Sequence, residues 1–159
     1  MSPGAGRGAR KDSRRRARES ALQILYQWDI GRSEVARASE TYFELQWPDD
    51  SPPPADLRAF ATALAADTVE RLASIDALIA ETSERWRPER MAVIDRLILR
   101  MAICEMLRGQ AGALPDGPNA PAAVIINEAL ELGRTFSGEE SVKFINGMLD
   151  AVRKKIERP

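Results

Sequence analysis

Four arginines fall within a stretch of five residues, Arg14, Arg15, Arg16 and Arg18. No other side chains in this sequence are better suited to meeting a polyanion. A guanidinium is planar and permanently charged, binds a phosphate bidentately and stacks on an unpaired base, a combination that suits single-stranded RNA. Arg7, Arg10 and Lys11 precede the cluster, and only Asp12 opposes it. Over the whole chain 23 basic residues meet 24 acidic ones, so the remainder is clearly acidic. Such a distribution describes a localised polyanion site on a body with little non-specific stickiness. Positive charge at a helix start opposes the macrodipole by a few tenths of a kcal/mol or more per charge, and an anionic partner would offset that penalty.

Catalytic and cofactor chemistry finds little support. The chain has no histidine, so the commonest general base and metal ligand are missing, and Ser-His or Cys-His nucleophiles are excluded. Neither a GxxxxGK[ST] loop nor a GxGxxG turn is available to cradle phosphates. The expectation is a binding protein that is not an enzyme and uses no cofactor or metal. The single cysteine, Cys104, cannot form an internal disulfide. No segment approaches the ~20 apolar residues that span a bilayer. Arg14, Arg15 and Arg16 imitate a twin-arginine export signal, but Gln23, Gln27 and Asp29 interrupt the apolar stretch that should follow. A cytoplasmic location, away from membranes, is expected.

The elements that must position these residues are all helical. Residues 1–12 are Gly-rich and basic, and read as a disordered tail; residues 13–159 form the domain. A helix is predicted from about Ser13 to Ile30, with Ala21, Leu22, Leu25 and Trp28 on its apolar arc and Gly31 as its stop. A shorter helix, about Ser33 to Trp47, leads to a proline-rich loop over 48–54 whose role the sequence does not reveal. One long amphipathic helix is predicted from about Ala55 to Arg85. After Pro88, the segment Met91 to Arg108 is apolar around most of its circumference, as in the buried centre of a bundle. Gly109 to Ala120 reads as a loop, and Val124 to Phe136 as a helix with Pro121 at its first turn. Ser137-Gly138-Glu139-Glu140 matches a capping box that starts the last helix, which runs to about Ile156. No segment alternates like a strand. The fold class is all-α, a compact bundle of six or seven helices.

Three blocks carry a resemblance to a known family. RRRARESALQILYQW (14–28), IDRLILRMAICEML (94–107) and VIINEALELGRTFSGEESVKFINGMLD (124–150) resemble, in order, segments of the NusB transcription antitermination factors. The resemblance implies two small helical bundles sharing a central helix. It implies binding of a boxA-like single-stranded RNA element in nascent ribosomal RNA transcripts, together with NusE, a small-subunit ribosomal protein, as an adaptor to RNA polymerase. The same domain occurs fused to ribosomal RNA cytosine methyltransferases. The lack of an α/β cofactor unit before Pro159 favours the stand-alone factor. The alternatives are a helical protein-protein adaptor without RNA binding and an accessory relative of the methyltransferase domain.

Site residues follow from both readings. Arg14, Arg15, Arg16 and Arg18 are the candidate RNA clamp. Tyr26 sits on the flank of the apolar arc, to pack in the core with its hydroxyl at the rim or to meet a base; Gln23 could read a base edge. By resemblance, Phe136, Glu140 and Lys143 lie beside the RNA surface. Glu140 also serves the capping box, and Lys143 suits a phosphate. Asp95 has no cation among its helical neighbours Met91, Ala92, Ile98 and Leu99. It is therefore either a solvated carboxylate or, by resemblance, a residue facing the protein partner. Asn127, Glu128, Asn146 and Gly147 are expected to be structural, with Gly147 permitting close helix approach. Cys104 is expected in the core.

Overall fold

The computed structural model describes the backbone of residues 3–47, 50–84, 87–111 and 120–157. Among the described residues there are seven α-helices, one 3₁₀ turn and no strand. The chain divides into two compact units, residues 1–66 and 67–159.

The first unit contains α1 (Pro3–Gly31), α2 (Val35–Gln46) and most of α3 (Ala55–Glu70). Ala17, Ala21, Leu22, Ile24 and Leu25 of α1 are fully buried, as the helical periodicity requires, and α1 packs against α2. Ala38, Tyr42 and Phe43 form the buried face of α2, and Leu57, Phe60, Ala61 and Leu64 that of α3. Two hydroxyl pairs satisfy the polar groups of this unit, Ser20 Oγ with Tyr42 Oη and Ser39 Oγ with Thr62 Oγ1, each at 3.0 Å. Two details of α1 depart from expectation. Its backbone is helical from Pro3, where an irregular tail was expected. Ala, Arg and Lys are good helix formers, and extending a nucleated helix avoids the nucleation penalty. At the other end Gly31 remains helical, and Arg32 takes the left-handed conformation (φ 53°). The Arg32 N–H still donates to Trp28 O at 3.0 Å, so the stop falls one residue beyond the glycine.

The second unit receives the end of α3, followed by α4 (Leu72–Thr82), a 3₁₀ turn (Pro88–Arg90), α5 (Val93–Ala111), α6 (Ala122–Phe136) and α7 (Glu139–Glu157). The single helix expected over 55–85 is divided at Arg71 (φ −94°, ψ 10°). Hydrogen bonds continue through the bend, from Arg71 N–H to Asp67 O and from Ile75 N–H to Arg71 O, both 2.9 Å. Helix α5 is the centre, packed against α4, α6 and α7. Its Leu97, Ile98, Leu99, Met101, Ile103 and Cys104 are at most 1% exposed, which accounts for a segment that is apolar nearly all round. Two arginines are buried with them. Arg100 grips Asp76 bidentately at 2.9 and 2.8 Å, and Arg108 Nε lies 3.1 Å from the Asp67 carboxylate. Helix α5 continues to Ala111, past the expected break at Gly109, and residues 112–119 of the expected loop lie outside the described residues, as do Pro48 and Asp49 of the proline-rich loop. Close helix approach occurs at Gly133, not at Gly147. A Cβ on Gly133 would meet Val142 Cγ2 of α7 at 3.2 Å, whereas one on Gly147 would find nothing within 4 Å.

Candidate nucleic-acid interface

The expected site residues fall into two groups, one in each unit. In the first unit the α1 cluster is not uniform. Arg16 is exposed, with its guanidinium 4.9 Å from the Trp47 ring. Arg14 is half-buried over Phe60 at 4.2 Å. Arg18 retains only 6% exposure, with its guanidinium 5.5 Å from the same ring. Arg14 and Arg18 thus continue the inward edge defined by Leu22 and Leu25, which takes Arg18 off the accessible surface. The outward face carries the half-buried Arg15, Gln23 and Gln27 and the exposed Arg16, Tyr26 and Ile30. Tyr26 is 40% exposed, so the expected core role is corrected: the tyrosine belongs to the surface. From Arg16 to Tyr26 this face runs about 15 Å along the helix.

In the second unit Phe136, Glu140 and Lys143 are all exposed around the α6–α7 turn. The expected capping box is not what forms there. Gly138 O accepts the first bond of α7, from Val142 N–H at 3.0 Å, so Gly138 is the cap residue. The Ser137 hydroxyl instead donates to Asp95 Oδ1 at 2.7 Å. Ser141 Oγ donates to Asp95 Oδ2 at 2.7 Å, and the two serine oxygens lie 2.8 Å apart. Asp95 is 9% exposed and is therefore not a solvated carboxylate. Its partners are hydroxyls 42 and 46 residues downstream, which no helical-neighbour argument could find. Beside this turn lies an open cavity of about 630 Å³, whose lining includes Arg87, Arg90, Met91, Asp95, Glu140 and Phe144. Sequence reasoning did not single out Phe144, which is 43% exposed. Its position one helical turn beyond Glu140 was the available signal.

Cys104 is completely buried, and burial pushes its thiol up to about 11 against the opposing pull of its hydrogen bond to Thr68. A thiol so held is a poor nucleophile and metal ligand at neutral pH. Among the described residues no cluster suitable for a metal ion occurs, and no helix is long and apolar enough to cross a membrane.

The geometry is that of a helical protein with exposed basic and aromatic side chains in both units. The model of the NusB family matches residues 15–154. The antitermination protein NusB of Solibacter usitatus (strain Ellin6076) is 46% identical over 147 residues, 92% of each chain. That of Koribacter versatilis (strain Ellin345) is 39% identical over 91% of each. Among solved structures, T. maritima NusB superposes with a TM-score of 0.72 at 29% identity, covering 89% of this chain and 91% of that one. A chain from a crystal structure of antitermination factors NusB and NusE in complex with double-stranded RNA has the same fold, with a TM-score of 0.73 at 21% identity over 91% and 98% of the chains. The chain belongs to the NusB family of transcription antitermination factors, which are not enzymes.

Proposed function

We propose that this protein binds a boxA-like single-stranded RNA in nascent ribosomal RNA transcripts in the cytoplasm. It does so together with NusE, and presents the joint surface to RNA polymerase as a non-catalytic adaptor. The observation that carries the reading is the outward face of α1, where Arg15, Arg16, Gln23 and Tyr26 line one side of a single helix. Guanidinium groups followed by amide and phenol groups supply phosphate contacts first and base contacts beyond them. The relation to a structure containing NusB, NusE and RNA supports the choice of partners. On the second unit, Lys143 offers a further phosphate contact, and Phe136 a ring on which a base can stack.

Titration with a short boxA-like RNA, with and without NusE, tests the proposal. Saturable binding that NusE tightens, and that prefers the boxA-like sequence to a scrambled strand, is the expected result. Absence of binding in both conditions would leave a protein-protein adaptor, a reading that the stacking of Arg14, Arg16 and Arg18 on aromatic rings also accommodates.

A further inference from the structure

We infer that Asp95 is a positioning residue for the RNA site, acting through the hydroxyls of Ser137 and Ser141. This inference rests on the RNA-binding reading above. Those serines sit immediately around the turn that carries Phe136, Glu140 and Lys143. Each donates to a different oxygen of the same buried carboxylate at 2.7 Å. One carboxylate near the start of α5 therefore holds both sides of the α6–α7 turn. Ser137 itself has φ −134° and ψ −118°, outside the helical and extended wells, so the turn has no intrinsic preference for its shape. Hydrogen bonds to a charged acceptor are stronger than neutral ones, and a buried carboxylate left without them is penalised, so the clasp favours a single conformation. The exposed side chains around it inherit their spacing from this conformation.

The energetic role is pre-organisation. If only a fraction of the molecules hold the turn correctly, apparent affinity falls by that fraction while the bound complex is unchanged. The double variant Ser137→Ala, Ser141→Ala removes both donors and leaves all the proposed RNA contacts in place. With the turn correct in roughly a tenth to a fifth of molecules, RNA affinity should fall about five- to tenfold. The dependence of log K on log salt should keep its wild-type slope, because the same phosphates are bound in the complex. Asp95→Asn offers a carbonyl acceptor to one serine and an N–H donor to the other, and should stay within about threefold of wild type.

The test is titration of the full chain with the boxA-like RNA at several salt concentrations, beside thermal melts and amide hydrogen exchange over residues 137–143. The expected result is weaker binding at unchanged slope, with faster exchange at the turn, in the serine double variant, and recovery in Asp95→Asn. Wild-type affinity in a folded double variant overturns the inference while the RNA reading stands. A fall in slope comparable to that of Lys143→Ala also overturns it, since a contact would then be missing from the complex itself. If the double variant does not fold, Ser141→Ala alone replaces it, with the same two criteria. Failure of the wild-type chain to bind RNA removes the RNA reading and this inference with it, and is recognised before any variant is examined.

Discussion

The contrast between Arg16 and Arg18 gives the sharpest test of how the arginine cluster works. Both are basic and two residues apart on one helix; helical projection sets Arg18 on the edge of Leu22 and Leu25 but does not say which of the two a ring buries. The structure does. Arg18 is 6% exposed beside Phe60, whereas Arg16 stands exposed near Trp47. A desolvated cation over a ring contributes about 2 kcal/mol or more, against ~0.5–1 at an exposed site. The buried aliphatic stem of Arg18 adds packing that alanine cannot replace. Arg18→Ala should therefore destabilise the fold by about 2–3 kcal/mol, and Tm should fall by roughly 5–10 °C in a chain of this size. Arg16→Ala should leave Tm within about 2 °C, because alanine is the better helix former and nearly compensates the lost ring contact. RNA titrations should give the reverse order. Arg16→Ala should flatten the plot of log K against log salt by about 0.7, one phosphate contact on a single strand, and Arg18→Ala should leave it unchanged below its melting range. Paired thermal melts and salt-dependent titrations read both quantities. A flattened slope with an unaltered Tm in Arg18→Ala would refute the division, and would return Arg18 to the RNA surface.

Four further perturbations follow from local geometry and burial. Gly147→Ala adds a methyl to open space in mid-helix and should raise stability by about 0.5–1 kcal/mol. Gly133→Ala drives a methyl to 3.2 Å from Val142 and should lose about 1–2 kcal/mol to overpacking; denaturant melts compare the two directly. Arg32→Gly should stabilise by about 0.5–1 kcal/mol, because glycine adopts the left-handed conformation without the strain an arginine bears there; an unchanged or lowered denaturation midpoint counts against this. The Cys104 thiol, raised from 9.0 to about 11, keeps its proton in the fold at a pH where the unfolded chain releases it. Its contribution is thus complete below about pH 9 and lost as pH rises through 11, to a total of about 2–3 kcal/mol. Chemical denaturation of wild type and Cys104→Ala across this range should converge as pH rises, and parallel curves would show the shift to be absent.

The helices were legible because burial imposes a 3.6-residue period on sequence, and the apolar circumference of 93–106 marks the central helix. The arginines were legible as chemistry, and helical projection put Arg14 and Arg18 on the edge of Leu22 and Leu25, but the ring that buries Arg18 was not legible. Whether a cation faces Phe60 depends on where a distant helix lies. The same holds for Asp95, whose partners lie more than forty residues away along the chain. At the end of α1, local rules placed the stop at Gly31, and the backbone ran one residue further. Of the two glycines in the last helices, the sequence pointed to Gly147, which neighbours nothing. Gly133, which separates two helices, carried no distinguishing local pattern. Bends such as that at Arg71 contain neither proline nor glycine and leave no residue signature.

The two buried arginines of α5, each paired with a half-buried aspartate of another helix, have a consequence for the far end of α5. A cylinder that is greasy on nearly every side can be rotated about its axis with little change in burial, so apolar packing alone indexes it poorly. Arg100 and Arg108, eight residues along the helix and so about 80° apart around its axis, meet Asp76 and Asp67 together in one rotational setting. Ion pairs of this kind contribute little net stability against a hydrophobic equivalent, but they reject misaligned packings. With α5 keyed in this way, its first turn has no angular freedom left, and the Asp95 carboxylate is delivered to its two serines as the fixed tooth of a cog.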